Sequence, residues 1–400
     1  MIQEQVWPSA TPLNRSAPNH PSRSRCSPTR TGTLSPVRAA FQQREAGAQR
    51  RQTASLAGRL VNGLLAAGIA GLMTGCGETP PAVAELAGET MGTTYSIKVS
   101  PPPDTAAGNR LQQQIEHRLE AINRQMSTYL PDSDLSRFNE SPSVAWQIVP
   151  PALAEITDRA LAVSRNSNGA YDITIGPLVD LWGFGSDGRR ETPPSDAQIV
   201  ERLGAVGFER LAVRQRPPAL RKSVAGLRID LSSIAKGWAV DRIGDLLSAN
   251  GYDNFLVEIG GEILARGKKA PDSPWTVAVE RPAVGQRQVH RVITLRDMAM
   301  ATSGDYRNFF ESDGQRYSHT IDPHSGQARG HALASVTVIA ERCTDADAWA
   351  TALMAAGDVD ATVLADRHAL KALLLVRDGD GFREWQSREL QASTLLEDNR

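Results

Sequence analysis

Cysteine is scarce in this 400-residue chain, which has only Cys26, Cys76 and Cys343, far apart in the sequence. These three form no C-x-x-C pair, which argues against a cysteine-based metal or redox motif and against a disulfide framework. The chain also lacks a G-x-x-x-x-G-K-[ST] phosphate-binding loop. A hydrophobic share of 40% and a charged share of 22% are ordinary for a globular protein and leave ample material for a large core.

Lysine is absent from residues 1–59, which contain nine arginines and only two acidic residues. Residues 60–400 carry 35 basic and 43 acidic side chains. The net charge of −1 is therefore the sum of a basic N-terminal segment and an acidic remainder of the chain. This asymmetry favours targeting over nucleic-acid binding, since no basic patch interleaved with aromatic residues appears elsewhere. Six prolines and little apolar periodicity in residues 1–50 predict a disordered leader over residues 1–58.

An uncharged stretch, residues 60–75, follows Arg59 and ends at Cys76. A basic beginning, a short apolar centre and small residues at the end are typical of a signal peptide, predicted here over residues 59–75. The ending Leu-Met-Thr-Gly-Cys resembles a bacterial lipobox, which predicts that Cys76 is lipid-modified and becomes the first residue of the mature protein. The alternative is a plain signal peptide or a short anchor with a chance cysteine.

A lipid on Cys76 would attach the protein to a membrane. We expect it at the periplasmic face of the bacterial inner membrane. Gly77, the residue after the cysteine, gives no clear sorting signal between the inner and the outer membrane. Beyond the cysteine we expect a flexible tether over residues 77–86, a folded domain over residues 87–385 and a polar tail over residues 386–400.

Helix and strand patterns mix along the folded region without a regular β-α-β rhythm, which favours an α+β domain, in one lobe or two. Apolar residues at spacings of four, four, three and four predict an amphipathic helix over Leu111–Met126. Three further helices are predicted to begin at Pro151, to follow Lys236 as far as Leu247, and to span Asp345–Ala356. Predicted strands cover Glu89–Val99, Leu227–Leu231, 254–266 with a break at Gly260-Gly261, 275–280, 290–296 and 333–340.

The stretch Arg316–Gly326 combines a strand pattern with a tight turn at Asp322-Pro323, because proline restricts both its own backbone and the residue before it. His319 lies just before this turn. A histidine exchanges protons near neutral pH, so His319 is a candidate general base. A hydrogen-bonded strand histidine without a chemical role is the alternative.

Asp347 and Thr351 lie four residues apart, so their oxygens share one face of the predicted helix and suit a hard cation such as Mg²⁺. The alternative is a helix-start carboxylate favoured by the helix dipole, followed by an ordinary threonine. Lys236 stands at another helix start and can bring a cation and main-chain groups to phosphates, although an ordinary strand-to-helix connection has the same pattern. Tyr129 and Tyr171 can stack on a flat ring or simply pack.

Several motifs occur in an order that resembles one family, the FAD:protein FMN transferases, also called ApbE-type thiamine biosynthesis lipoproteins. The resemblance covers about residues 87–376. It rests on the stretches Met91–Tyr95, Met126–Tyr129, Gly169–Thr174, Leu181–Gly185, Asp230–Gly237, Thr302–Asn308, Arg316–Gly326 and Asp345–Thr351.

The resemblance implies that the protein binds FAD and Mg²⁺ and transfers FMN to a threonine hydroxyl of a target flavoprotein, releasing AMP. It implies a base at His319 and a flavin and metal site that lies between the lobes if the domain is bilobed. The implied metal contacts are Ser233, Asp347 and Thr351. The implied flavin contacts are Met91, Tyr129, Ala170, Tyr171, Asp172, Asp230, Lys236 and Thr320. The implied partners are acceptor flavoprotein domains of membrane redox complexes.

Two other functions are compatible with the same residues. One is a non-catalytic FAD-binding lipoprotein, which needs the flavin contacts alone. The other is a Mg²⁺-dependent FAD pyrophosphatase, in which water replaces the acceptor threonine. Only a catalytic protein needs His319 together with Asp347 and Thr351, and the presence of all three favours catalysis over storage.

Overall fold

The computed structural model describes residues 83–185, 188, 190, 192–270, 273–282, 288–305, 309–312, 314–328 and 330–396. These residues belong to one compact unit. The predicted leader, the signal peptide and Cys76 lie outside the described residues. Within these ranges, no helix is long and apolar enough to cross a membrane.

The described strands are β1 (Ala84–Thr90), β2 (Thr93–Val99), β3 (Gln147–Ile148), β4 (Leu211–Gln215), β5 (Pro218–Lys222), β6 (Phe255–Ile259), β7 (Glu262–Arg266), β8 (Trp275–Glu280), β9 (Val289–Leu295), β10 (Met298–Gly304), β11 (Phe309–Ser312), β12 (Gln315–Ser318), β13 (Leu333–Ala340), β14 (Lys371–Asp378) and β15 (Gly381–Gln386). The described α-helices are α1 (Thr105–Met126), α2 (Asp134–Glu140), α3 (Pro151–Asn166), α4 (Gly176–Leu181), α5 (Asp196–Leu203), α6 (Ala235–Ala249), α7 (Cys343–Ala356), α8 (Asp358–Arg367) and α9 (Arg388–Gln391).

An eight-stranded antiparallel sheet in the order β1-β2-β6-β7-β10-β13-β14-β15 forms the centre of the fold. Helix α6 packs on β6 and β7, and α7 packs on β10 and β13 beside it. The opposite face buries a second apolar layer, to which the β8–β9 hairpin contributes Trp275 and Ile293 and α9 contributes Leu390. This mixed architecture confirms the predicted α+β fold class.

Most of the predicted elements are present. Helix α1 buries Leu111, Ile115, Leu119, Ile122 and Met126, the same stripe that the spacing predicts. Helix α3 begins at its predicted proline, and the helix predicted after Lys236 is α6. The glycine pair divides the 254–266 segment into β6 and β7, and strands β8, β9 and β13 fall at their predicted places.

The first predicted strand, Glu89–Val99, is wrong in one respect, because it is the end of one strand and the whole of the next. Strands β1 and β2 pair as a hairpin in which Thr90 faces Thr93. Met91 and Gly92 form the two-residue turn between them, with φ of 49° and 70°. Two consecutive residues with positive φ match the turn that fits the twist of a hairpin. The alternating pattern continues across the turn, so it hides the reversal.

The predicted strand Leu227–Leu231 is also wrong, because this segment joins no sheet and makes a single parallel bridge, from Arg228 to Ile175. A side chain takes the place of a neighbouring strand. The Asn139 amide donates to the Ile229 carbonyl at 2.8 Å and accepts from the Ile229 N–H at 2.8 Å. Apolar alternation alone cannot distinguish this pairing from a ladder between strands.

The ordered domain extends beyond both expected limits. Strand β1 begins at Ala84, inside the range predicted as tether, and pairs along its whole length with β2. At the other end, α9 lies inside the predicted polar tail, Leu390 is fully buried, and Leu396 bridges Ile293. Both segments look polar in sequence because each presents few apolar side chains to the core.

Candidate active site

The N-terminal ends of helices α6 and α7 contact each other directly in the candidate site. The Gly237 N–H donates a hydrogen bond of 2.9 Å to Oδ2 of Asp347. A Cβ at position 237 would lie 2.3 Å from the carbonyl oxygen of Cys343 and 2.8 Å from Cβ of Asp347. Glycine is therefore required at this position, since no larger residue lets the two helix starts come together.

Lys236 places its ammonium between two buried carboxylates. Its Nζ lies 3.0 Å from Oε1 of Glu262 and 3.7 Å from Oδ1 of Asp347. Burial alone would lower the pKa of Lys236, but Asp347 and Glu262 outweigh this effect and hold the pKa above its usual value. Burial raises the pKa of Glu262, and the nearby ammonium of Lys236 opposes this effect. This three-member group, Lys236, Glu262 and Asp347, is called the charged triad below.

Thr351 lies one helical turn after Asp347 on α7, as the spacing predicts. Its Oγ1 is 3.1 Å from Oγ of Ser303 on β10. Ser303 is not among the predicted metal contacts, and the pairing of β10 with β13 under α7 brings it to the site. The predicted cation ligands are thereby joined by one further hydroxyl.

Ser233 and Tyr171 form a second pair beside the triad. The Ser233 hydroxyl donates to the Tyr171 hydroxyl oxygen at 2.9 Å. Burial raises the pKa of Tyr171, and the carboxylates of Asp347 and Asp230 raise it further, so both acids lie within electrostatic reach of the phenol. Ser233 therefore has two oxygens that can serve a cation, its main-chain carbonyl and its hydroxyl, which keeps its lone pairs while it donates.

Two acidic residues predicted to contact flavin differ in their partners. Both carboxylate oxygens of Asp172 are engaged by the fold, with Oδ1 accepting from the N–H and hydroxyl of Thr174 at 2.7 Å each and Oδ2 accepting from the Phe208 N–H at 2.8 Å. Asp230 accepts from the Ser232 N–H at 2.8 Å through one oxygen. Asp230 is therefore better placed than Asp172 to offer a carboxylate oxygen to a ligand.

Tyr129 has 40% of its surface exposed, which is unusual for a large ring in this fold. Burial of the rest of the side chain raises its pKa, and the charges of Asp230 and then Asp180 raise it further. Tyr129 and Asp230, which are far apart in sequence, thus lie near each other. An exposed ring beside a carboxylate can stack on a planar ligand.

Two cavities adjoin the segment that carries the predicted flavin residues. One of about 550 Å³ borders Asp172 and is lined on its other sides by Phe208 and His324. One of about 280 Å³ borders Ala170 and also reaches His324. Both volumes are of the order that ligand pockets occupy in proteins.

His319 follows β12 directly and lies in an aromatic cluster. Its ring meets the edge of Phe184 at a centroid distance of 6.4 Å, and Phe310 stacks on Tyr317 nearby at 5.2 Å. Thr320, the next residue, is buried. The structure thus joins most of the predicted metal and phosphate residues, and it packs His319 against Phe184.

The turn after His319 is held rigidly. Asp322 accepts from the His324 N–H at 3.1 Å and from the Ser325 hydroxyl at 2.7 Å. The indole of Trp182 donates to the Gly326 carbonyl at 2.8 Å. The turn ties the end of β12 to the core under α4, so the position of His319 is determined by packing rather than by a free loop.

The last flavin residue to be placed, Met91, sits at the tip of the β1–β2 hairpin and packs against the main core. Among the described residues, the salt-bridge partners within the charged triad are its own three members, and Met91 is not one of them.

The oxygens gathered around Asp347 fit a hard cation. The carboxylate of Asp347, the hydroxyls of Thr351 and Ser303, and the carbonyl of Ser233 are all oxygen donors, which Mg²⁺ prefers. Among the described residues no group of three or more His, Cys, Asp and Glu side chains forms a softer metal site. The residues present therefore fit Mg²⁺ better than zinc.

A buried carboxylate, a lysine and hydroxyls at two helix starts, on an α+β fold, define a class of site that handles phosphate oxygens with a hard cation. The comparison with protein families agrees with this class. The model of the ApbE family matches residues 91–374. The chain belongs to the ApbE family.

Named relatives extend along most of the chain. A protein called FAD:protein FMN transferase from Vibrio cholerae is 43% identical over 316 residues, which are 79% of this chain and 94% of the relative. The solved flavin transferase ApbE from Vibrio cholerae superposes with a TM-score of 0.72 at 41% identity and covers 78% of this chain and 99% of that one. The apo flavinyl transferase ApbE from Pseudomonas stutzeri has the same TM-score and identity, with coverage of 78% and 96%.

Proposed function

We propose that this protein transfers FMN from FAD to a threonine hydroxyl of a target flavoprotein. The oxygen of that threonine forms a new bond to the phosphorus on the FMN side of the pyrophosphate, the bond from this phosphorus to the bridging oxygen breaks, and AMP leaves. The observation that carries the proposal is the charged triad with Thr351, in a chain whose relatives of similar length are named FAD:protein FMN transferases.

The residues around Asp347 would hold Mg²⁺ in this reaction. Asp347, Thr351 and the main chain of Ser233 are the proposed ligands, and Ser303 supports Thr351 through the 3.1 Å contact between their hydroxyls. When bound, the ion would neutralise charge on the pyrophosphate. The ammonium of Lys236 adds a fixed positive charge beside it, and the dipole of α6 favours negative charge at the N-terminal end of this helix.

His319 is the proposed acceptor of the threonine proton. A phosphorus centre is attacked more readily by an oxygen whose proton is being removed, and an imidazole is suited to that transfer near neutral pH. The fixed turn at Asp322 and the edge contact with Phe184 would hold the ring in one orientation. A fixed base matters because proton transfer needs hydrogen-bond distance.

Flavin recognition is assigned to the residues around Tyr171. Tyr129 would stack on the ring system, with Met91 and Ala170 as apolar contacts, and Asp230 would accept a hydrogen bond from a polar edge or the ribityl chain. Asp172 would act through its main chain, because its carboxylate already accepts three hydrogen bonds. Thr320 would contribute beside His319.

We further propose that a lipid on Cys76 tethers the domain to the periplasmic face of the inner membrane, where it meets acceptor domains of redox complexes. The support is the predicted lipobox, together with the short distance in sequence from Cys76 to the start of β1 at Ala84. A tether of so few residues would keep the domain close to the membrane surface.

One experiment separates this function from its alternatives. The protein is incubated with FAD, Mg²⁺ and an acceptor domain carrying an Asp-x-x-Thr-Ser/Gly-Ala-Thr-like motif, and the acceptor is weighed by mass spectrometry. A gain of one FMN that requires the metal supports transfer. Cleavage of FAD without any adduct would indicate a pyrophosphatase, and tight FAD binding without cleavage would indicate a storage protein.

A further inference from the structure

Glu262 brings a second carboxylate to the site, and the proposed function leaves it without a role. The residue is only 3% exposed. Oε1 pairs with Lys236 at 3.0 Å, whereas Oε2 is buried and has no hydrogen-bond partner among the residues that the structure describes. A buried carboxylate with one unsatisfied oxygen is costly, so its retention calls for a reason.

The β6–β7 hairpin delivers Glu262 to Lys236. Gly260 and Gly261 form its turn with φ of 61° and 102°, and Glu262 is the first residue of β7. A Cβ at Gly260 would lie 2.9 Å from Thr93 and 3.4 Å from Cδ of Lys236. The tight glycine turn thus lets the stem of Lys236 pass along the hairpin and reach the carboxylate that follows.

The ammonium of Lys236 therefore lies closer to Glu262 than to Asp347. The 3.0 Å contact with Glu262 is a hydrogen-bonded ion pair, while the 3.7 Å separation from Asp347 exceeds a normal hydrogen bond. Without Glu262, Asp347 would be the buried carboxylate left beside this ammonium among the described residues. The ammonium would then compete directly with any cation for that carboxylate.

We propose that Glu262 is a positioning residue that keeps Lys236 away from Asp347 and so preserves the affinity of Asp347 for its divalent cation. The inference rests on the proposed function only in taking Asp347 as a metal ligand.

The test measures Mn²⁺ binding to the full chain by the loss of the free-ion EPR signal, without FAD or acceptor. Glu262→Gln is expected to weaken binding roughly 10- to 100-fold, the usual cost of losing an outer partner of a metal ligand. Glu262→Asp, which keeps the charge but shortens the reach, is expected to weaken it as well. Glu258→Gln on the same hairpin is the matched control, since an amide oxygen can still accept the Gly261 N–H.

A double-mutant cycle with Lys236→Met decides between positioning and simple charge. If Glu262 acts by holding Lys236, then Glu262→Gln has no effect on Mn²⁺ binding once Lys236 is absent. Equal weakening in both backgrounds would overturn the proposal, because Glu262 would then act on the metal directly or through its charge. Unchanged binding in Glu262→Gln would also overturn it.

Two further variants complete the test, one to replace Glu262→Gln and one to check the metal ligand itself. Should Glu262→Gln fail to unfold cooperatively, Glu262→Asp takes its place in the cycle, because the proposal expects this variant to weaken Mn²⁺ binding in the parent and to have no effect in the Lys236→Met background. Equal weakening in both backgrounds would overturn the proposal. Asp347→Asn tests the metal assignment itself. If that variant binds Mn²⁺ as the parent does, the proposed ligand is wrong, whatever Glu262 does.

Discussion

The N–H of Gly237 and the carboxylate of Asp347 join two helix starts through a single hydrogen bond of 2.9 Å. The bond occupies one carboxylate oxygen, and the other faces Lys236. Two functions thus depend on one contact, the packing of α6 on α7 and the orientation of the proposed metal ligand.

Gly237→Ala should weaken both the packing of α6 on α7 and the binding of the metal at Asp347. The added methyl group would lie 2.3 Å from the Cys343 carbonyl, and forcing the helices apart should lower the free energy of unfolding by about 1–3 kcal/mol. Thermal unfolding and Mn²⁺ binding measure the two effects. Gly108→Ala in α1 is the control, because its Cβ would meet nothing closer than Pro103 at 3.7 Å and alanine favours the helix. Equal melting temperatures for the two variants would contradict the packing argument.

Asp347→Asn should abolish metal-dependent flavin transfer while the protein stays folded. An asparagine oxygen can still accept from the Gly237 N–H, but the amide carries no charge for a cation. Transfer is measured over a Mg²⁺ titration, with melting temperature alongside. Asp345→Asn on the same helix is the control, since that side chain is partly exposed and pairs loosely with Arg159 at 3.6 Å. A normal Mg²⁺ response in Asp347→Asn would remove the residue from the site.

Thr351→Val should impair the Mg²⁺ dependence of transfer more than Ser303→Ala does. Thr351→Val removes the proposed ligand oxygen and keeps the shape of the side chain, so it should raise the Mg²⁺ concentration needed for half-maximal transfer by roughly tenfold or more. Ser303→Ala removes only the 3.1 Å partner of that oxygen and should have the smaller effect. A larger effect at Ser303 would assign the ligand to β10 instead of α7.

His319→Ala should retain FAD binding and lose transfer by roughly 10²-fold or more, the usual contribution of a general base. FAD affinity is followed by flavin fluorescence and transfer by the mass of the acceptor. The control is His324→Ala, five residues on, which removes an imidazole that packs by Gly169 and lines the neighbouring cavities. Unchanged transfer in His319→Ala would exclude it as the base.

Glu384 should make stability depend on pH in the acid range. Burial raises its pKa, but hydrogen bonds from Arg291 at 3.0 Å each, and others from Gln386 and His290, outweigh burial and hold the pKa below its usual value. Since the folded-state pKa is depressed, the stabilisation is present above the unfolded value of about 4.3 and is lost as the pH falls through the folded value.

Glu384→Gln should therefore cost about 1 kcal/mol of unfolding free energy at pH 7 and almost nothing once the parent carboxylate is protonated. Denaturant unfolding at several pH values measures the difference. A cost that stays constant down to the acid limit would show that shape, and not charge, joins β9 to β15.

Local patterns predicted much of the fold and part of the site. The stripe of α1 and the break between β6 and β7 follow from spacing and from glycine, because each depends on neighbours a few residues away. The Glu89–Val99 and Leu227–Leu231 strands failed for one shared reason. Alternation records which side chains are buried but not whether the backbone partner is another strand, a turn or the Asn139 amide.

By itself, the sequence determined which chemical groups are available: a carboxylate and a hydroxyl one helical turn apart at Asp347 and Thr351, and a histidine before a proline turn at His319. Only the tertiary structure decided which distant residues contact these groups. Ser303 reaches Thr351 across 48 positions of sequence, and Glu262 on the β6–β7 hairpin reaches Lys236 on α6. Such pairs form where a sheet and two helices pack, and no local pattern in the sequence specifies which distant residue will fill the space beside a given side chain.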